Sequence, residues 1–394
     1  MIYFLTFVLL FLPVLKYDLL AKTGGENKWY YFNLIVLILL AGLRYRVGGD
    51  TLMYMAMFDG CPDLSDLKYF DFEVAQYNPL WYIFNAVCKT ICDEFFFFQL
   101  IHATIVNISF FSFFRKYCPK YYFSAVLLYY IGYYCYFNME ILREILAICL
   151  LLYATRFLLN KNYICYYAVS LFAVFIHYSA LVMFLFPLMF IFVKKVSWKQ
   201  QILIFIIIFI LSFLVNIPIL LLSMLSLDEQ LMLIVERYIE NERNIFGMLA
   251  LILQYLPILG LIYLREKFQI TTTMRFIPIV GCVVYVYAFS LNLAGLNRFV
   301  NYFVPFILIY IVDTVYYILA YIKPKFTYSY IAFIFTLFLL NFNYIYYYVK
   351  DMSSVLPNTR FYSIFYPYHS VLFPQRDEHR EQFIENYREV IINF

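Results

Sequence analysis

YICYYAVSLFAVFIHYSALVMFLFPLMFIFV, residues 163–193, holds no Asp, Glu, Lys or Arg in 31 positions, with His177 as its one basic group. A single helix of that length would run about 46 Å, against about 30 Å for the hydrocarbon core of a bilayer. Two shorter apolar helices meeting near His177 fit the stretch better. The rest of the chain repeats the pattern: 65% of 394 residues are hydrophobic, 23% aromatic and only 14% charged. Soluble domains run at about 45–50% apolar and about 25% charged, so a water-soluble enzyme of ordinary type is excluded. Disorder is excluded too, because it needs low hydrophobicity and high charge. The fold class is all-α, a polytopic helical integral membrane protein with about 12 transmembrane helices.

Apolar runs bounded by charge place the spans at 1–15, 29–43, 95–114, 121–137, 141–159, 163–176, 178–193, 200–225, 245–264, 276–293, 299–322 and 328–349. MIYFLTFVLLFLPVL lacks a basic leader and a small-residue cleavage site, and reads as a retained first span. Residues 1–349 thus form the membrane domain, with outer loops at 44–76 and 227–244, and 350–394 a C-terminal periplasmic tail. The segment 77–92, with Asn85 and Lys89, is too short for a span and reads as re-entrant or interfacial. In the tail, Phe383, Ile384, Tyr387 and Ile391 fall at helical spacing. They predict a short amphipathic helix against the membrane surface or the other loops.

Lys and Arg at the span ends set the orientation. Basic turns at Arg115–Lys120, Arg156–Lys161, Lys194–Lys199, Arg265–Arg275 and Lys323–Lys325 are placed inside, with Lys16, Lys22 and Lys28. The count closes only if 163–193 is split, and it puts 44–76, Arg143, His177, Arg298 and the tail outside. The net charge of 29 − 25 = +4 offers no basic face for nucleic acid. Eight cysteines lie scattered, without a Cys-x-x-Cys pair, and suggest neither zinc nor a disulfide framework. No Walker loop, dinucleotide fingerprint, serine elbow or His-Glu-x-x-His is present. The reading requires no metal and no cofactor.

Charges beside apolar runs are the informative ones, since an ionisable group at mid-span costs about 2.5–3.5 kcal/mol. GLRYRVGGDTLMYMAMF, residues 42–58, delivers Arg44 and Arg46 from a span end, turns at Gly48 and Gly49, and brings back Asp50 and then Tyr54. Snorkelling arginines and an Asp50 helix cap would explain the parts separately; their compact combination points to a site. In NMEILREILAICL, residues 138–150, Glu140 and Arg143 are spaced for an intrahelical ion pair. The rival reading is an arginine facing an anion in a partly dry cavity. His177 is either a structural histidine or a general base. Arg298 stands at an outer span end beside Asn297 and Tyr302, either snorkelling or binding. His102 lies alone inside a span and reads as structural. Arg44, Arg143, His177 and Arg298 therefore share one predicted side, and such a set suits a membrane-anchored diphosphate, which the planar guanidinium fork engages bidentately.

These residues resemble a known family. GLRYRVGGDTLMYMAMF is similar to the G-L-R-Y-x-V-G-x-D-x-x-x-Y-x-x-x-F signature of the EpsG branch of the Wzy-type polysaccharide polymerases. NMEILREILA resembles that family's Arg-Gln-x-x-Ala helix start, with Arg143 and Ala147 in place and Glu144 where Gln is usual. FIHYSALV is similar to its Phe-His-x-Ser-Ala-Leu element, with Ile176 inserted, and NRFVNYF to its Arg-x-x-x-Tyr element through Arg298 and Tyr302. YPYHS, with Tyr368, resembles its late Pro-Tyr stretch. The resemblance implies a fold like that of the multi-span lipid-linked glycosyltransferases. It implies a metal-independent polymerase of undecaprenyl-diphosphate-linked oligosaccharide repeat units at the outer face of the bacterial inner membrane, with a chain-length regulator as partner. Arg143, Arg298 and Arg44 would hold the leaving diphosphate, Asp50 or His177 would take the acceptor proton, and Arg46, Tyr54, Glu140, Asn297, Tyr302 and Tyr368 would line the substrate. A lipid-linked oligosaccharide flippase, an O-antigen-type ligase and, through His102, a membrane O-acyltransferase are the alternatives.

Overall fold

Asn162 ends one turn and begins the next helix by accepting the Cys165 N–H at 3.2 Å, and that helix stops at Val174, three residues before His177. The long uncharged stretch is thus broken where its length required. It continues as a 3-10 helix over Tyr178–Leu185 and an α-helix over Phe186–Val193. The structure, a computed structural model, describes residues 1–69, 78–193, 197–214, 260, 262–264, 267–268, 276–290, 297–322 and 348–393. The spans expected at 245–264 and 328–349 lie wholly or largely outside the described residues, as does the 227–244 loop. Among the described residues there is no β-strand, only isolated bridges such as Arg44 with Ser370.

The chain divides into two compact units. The first, Met1–Leu181 with Tyr330–Val390, holds α1 (Ile2–Pro13), α2 (Glu26–Gly42), α3 (Thr51–Asp59), α4 (Pro79–Ile91), α5 (Phe95–Tyr117), α6 (Tyr122–Gly132), α7 (Tyr134–Met139), α8 (Leu142–Leu159), α9 (Tyr163–Val174) and nearly all of the tail. Pro13 has no N–H to donate, and α1 runs on as a π-helical turn over Val14–Leu19. α2 lies along α5 and α8 along both α5 and α9. Gly42 makes the α2–α5 approach possible, because a Cβ there would stand 2.9 Å from the Leu100 Cα. Buried polar side chains fasten the helices to one another rather than to water. Tyr134 donates to the Leu37 carbonyl at 2.5 Å, Asn107 to Asn138 at 2.9 Å, and Asn138 to the Tyr129 hydroxyl at 2.7 Å. His102, read as structural, has its Nε2 2.9 Å from the Leu142 carbonyl, where α8 starts.

The second unit, Val182–Ser329 with Ile391–Phe394, holds α10 (Phe186–Val193), α11 (Trp198–Leu214), α12 (Ile277–Ser290), α13 (Asn297–Asn301) and α14 (Val304–Ile322). Ser197 and Gln200 form a reciprocal capping box at the start of α11, with N···O distances of 2.9 and 3.4 Å. α10 and α11 pack on α12, and Phe186 meets Phe303 at 5.1 Å between ring centres.

Two described stretches, Ile2–Leu19 and Phe95–Tyr117, are long and apolar enough to cross a membrane, and several shorter apolar helices accompany them. The run expected at 121–137 is broken at Tyr133 into α6 and α7, and that at 299–322 into α13 and α14. α4, at 13 residues, is about 20 Å long and too short to span. Phe4, Leu5, Ile35, Leu39 and Leu171 are exposed on α1, α2 and α9, the pattern of helices that meet lipid. Among the described residues the architecture is all-helical, consistent with a helical membrane protein.

The tail is not a loose appendage. α15 (Glu378–Asn393) starts behind Asp377, which accepts the Arg380 N–H at 3.0 Å, and carries Glu378 and Glu381 in its first turn, where acids suit the helix dipole. Its Phe383 and Ile384 are buried in the protein. Of the two surfaces offered to this helix by its sequence, the loops are the one it takes.

Candidate functional site

The turn after α2 is shaped by two glycines. Gly48 has φ +114°, and a Cβ there would come within 2.5 Å of the Met139 carbonyl oxygen. At Gly49 a Cβ would stand 2.9 Å from Glu140 Oε2. Their bare backbone lets the loop lie directly on residues 139–140, and the Gly49 N–H donates to Glu140 Oε1 at 2.7 Å. Thr51 adds a hydroxyl bond to the Val47 carbonyl at 2.7 Å. The break between α7 and α8 is thereby joined to the start of α3.

Arg44 braces this turn from within. Its Nε donates to the Val47 carbonyl at 3.1 Å and its Nη1 to the Ala41 carbonyl at 2.5 Å, and the side chain has no exposed surface. Burial lowers its pKa to about 10, so it stays charged at neutral pH. Arg44, expected to hold a substrate phosphate, is enclosed by protein and bonded to backbone carbonyls, where it braces the loop. Arg46 sits at φ +53°, a left-handed conformation that costs energy for a residue with a side chain, and is bonded to Glu381 of α15. Burial raises the Glu381 carboxyl, but bonds from Arg46 and Arg376 outweigh it and hold the group below the ordinary carboxylate range.

Asp50 occupies the N-cap position of α3 without making a side-chain cap bond. Its Oδ1 faces Arg388 of α15 at 3.3 Å, and the same guanidinium donates to the Gly49 carbonyl at 3.2 Å. Glu140 turns to Gly49, and no ion pair among the described residues joins it to Arg143; the intrahelical pairing suggested by their spacing does not form. Burial, and then the charge of Asp50, push the Glu140 carboxyl up to about 7 despite the Gly49 bond and the positive charges of Arg388 and Arg44. Arg143, partly buried, holds its guanidinium 5.8 Å from the centre of the Tyr54 ring. Its Nε is buried and makes no hydrogen bond. Tyr54 is itself buried and packs on Trp81 of α4 at 5.4 Å.

Asp50, Tyr54, Glu140 and Arg143 therefore come together, joined by Arg388. His177 is linked to them through α4, whose Leu80 N–H donates to the Phe175 carbonyl at 3.2 Å. It is 3% exposed, with Nδ1 2.6 Å from the Ser179 hydroxyl and its ring stacked on Tyr178. Tyr368 spends its hydroxyl on the Leu40 carbonyl at 3.0 Å and lies edge-on to Tyr3, and burial pushes its pKa up to about 12. Asn297, Arg298 and Tyr302 belong to the second unit: Asn297 opens α13, Arg298 is exposed on it, and Tyr302 is fully buried.

The sequence reading missed Arg388, Arg380 and Glu381. Arg380 is buried and donates to the Ser363, Arg46 and Pro367 carbonyls. A signal existed: Arg380, Ile384 and Arg388 recur every four residues and so share one face of α15.

No curated protein and no solved structure matches the chain. The family model described as the EpsG family matches residues 27–370, from α2 through the tail's Tyr366–Ser370 run and short of α15. That match takes in most of the sequence, and the chain belongs to the EpsG family.

Proposed function

We propose that this protein extends a polysaccharide at the outer face of a bacterial inner membrane, using undecaprenyl-diphosphate-linked oligosaccharide repeat units. Membership of the EpsG family supports a polysaccharide polymerase-like role. About twelve spans and a periplasm-facing site complete the proposal. The observation that carries it is the cluster at the Gly48–Gly49 turn: two carboxylates, Asp50 and Glu140, beside two arginines, Arg143 and Arg388, on a loop shaped by the family's first motif.

In the reaction, the bond between the anomeric carbon of the growing chain and its diphosphate oxygen breaks. A hydroxyl oxygen of the incoming unit bonds to that carbon, the diphosphate leaves with the electron pair, and the hydroxyl proton passes to a base. Glu140 suits the base better than the two residues first considered. Its carboxyl is held near neutrality, whereas Asp50 faces Arg388 and His177 has Nδ1 turned to Ser179. Arg143 is assigned to the diphosphate, whose charge grows as it departs. Arg44, Arg46 and Tyr368 are positioning residues, and Tyr54 stands beside Arg143 at the site.

The test compares surface polysaccharide from cells with and without the protein. Long chains replaced by single repeat units support polymerisation. Loss of lipid-linked units from the outer face would instead establish the flippase, and normal chain length would remove the proposal.

A further inference from the structure

With the apolar side chains Phe383 and Ile384 turned inward, α15 leaves the tail's exposed hydrophobic surface elsewhere. Tyr362, Tyr366, Leu372 and Phe373 are exposed, the last two by 65% and 82%. The Leu372 and Phe373 N–H groups both bond back to Ser370, at 3.3 Å to its hydroxyl and 3.0 Å to its carbonyl. These bonds make a tight turn with two large apolar side chains at its tip. The turn is fixed in place: the Val371 N–H donates to the Leu43 carbonyl at 2.9 Å and the Tyr3 hydroxyl to the Phe365 carbonyl at 2.9 Å. It therefore sits at the ends of α1 and α2 that carry exposed Phe4, Leu5 and Leu39, the surface that faces lipid when the protein is in a membrane.

We infer that the 362–373 segment is a membrane seat, with Leu372 and Phe373 entering the interfacial layer of the outer leaflet and Tyr362 and Tyr366 lying at headgroup level. Its partner is the lipid bilayer. Continuity with the lipid-facing ends of α1 and α2 names that partner. Tyrosines flanking an apolar tip have an apolar body and a polar hydroxyl, as the membrane boundary requires. The same segment bonds to the site loop, through Tyr45 N–H to His369 carbonyl at 2.8 Å and Gly48 N–H to Ile364 carbonyl at 3.1 Å. The seat thus holds Asp50 and Glu140 at headgroup depth, where the diphosphate of a lipid carrier lies. This inference rests on the protein being membrane-embedded, and its test separates the two.

The full-length protein is reconstituted in phosphatidylcholine vesicles as Phe373→Trp, Leu372→Trp or Phe4→Trp, and emission added over the parent is measured with lipids brominated near the headgroup or near the chain end. All three positions are exposed, so folding is not at stake. The expected result is blue-shifted emission at positions 372 and 373, lost with shallow bromines and largely kept with deep ones. Unquenched emission at both tail positions alongside a quenched Phe4→Trp overturns the seat and leaves the membrane reading intact. Unquenched emission at all three positions overturns both.

Discussion

A carboxyl group with its pKa near 7 is matched to taking a proton at physiological pH, and Glu140 acquires that value from where the chain puts it. Burial between the α7–α8 break and the glycine turn disfavours its charge, and Asp50 adds repulsion. Two outcomes follow for the residue. Activity of the wild type should rise as pH passes upward through about 7, because the base works only when deprotonated. Glu140→Gln should lower kcat by roughly 10²–10⁴-fold while leaving lipid-substrate binding nearly unchanged. A pH–rate profile in vesicles measures the first, and an unaltered profile in the mutant would reassign the base. Stability carries the opposite sign: a folded-state pKa raised from 4.5 to about 7 means that ionising Glu140 costs stability as pH climbs through that window. At Gly48 the limit is steric. Alanine at φ +114°, with its Cβ 2.5 Å from a backbone oxygen, should destabilise by more than about 1 kcal/mol, seen as a lower melting temperature in detergent. The glycine pair could be read from the sequence as a turn; that the turn rests on Met139 and Glu140 could not, because those residues are some 90 positions away.

At the scale of elements, α15 was legible as a helix and illegible as a partner. Phe383, Ile384 and Tyr387 announce helical spacing, but the partners of their helix, among them Arg46, Val355, Phe361 and Ser363, come together only after folding. The same limit hid Arg388, a charged residue in a tail that otherwise reads as solvated. Helix breaks were clearer. The 31-residue uncharged run had to divide, and it does so at 175–177, whereas the breaks at Tyr133 and at Tyr302–Phe303 leave no comparable mark in hydropathy. The docking of α15 can be tested at its buried anchor. Phe383→Ala should cost about 3 kcal/mol of docking, so trypsin should cut after Arg376 and Arg380 sooner than in the wild type. Arg388→Ala leaves that anchor in place. It should spare the proteolysis pattern yet reduce polymer length in cells, separating the contribution of the guanidinium from that of the helix.

On the scale of the whole first unit, hydrogen bonds assign two ends. At one, Tyr3, Leu40 and Leu43 meet the tail, Tyr368 donating to the Leu40 carbonyl at 3.0 Å, and Tyr130 donates to the Tyr3 carbonyl at 2.8 Å. At the other, Asp18 accepts from Ser124 at 2.7 Å, and Arg115 donates to Asn27 at 2.5 Å while covering Tyr30. α1 with its π-helical continuation, and α2, therefore run between a glycine-turn end and a basic end. Lys22, Lys28, Arg115, Lys116 and Lys120 belong to the segments of that second end, which the Arg115–Asn27 bond brings together, and are the group that the sequence places inside. With the unit crossing the membrane as proposed, the site and the tail lie on one side and Lys28 and Lys120 on the other. In intact cells, a membrane-impermeant thiol reagent should label Ser65→Cys and Ser353→Cys above the background of the native cysteines, and should reach Lys28→Cys and Lys120→Cys only after lysis. Labelling of positions 65 and 353 on opposite sides would break the unit's geometry. Labelling of all four in the reverse sense would keep the geometry but turn the site toward the cytoplasm, away from any extracellular polymer. In the proposed orientation the site faces outward, which is the side that the positive-inside bias leaves to it.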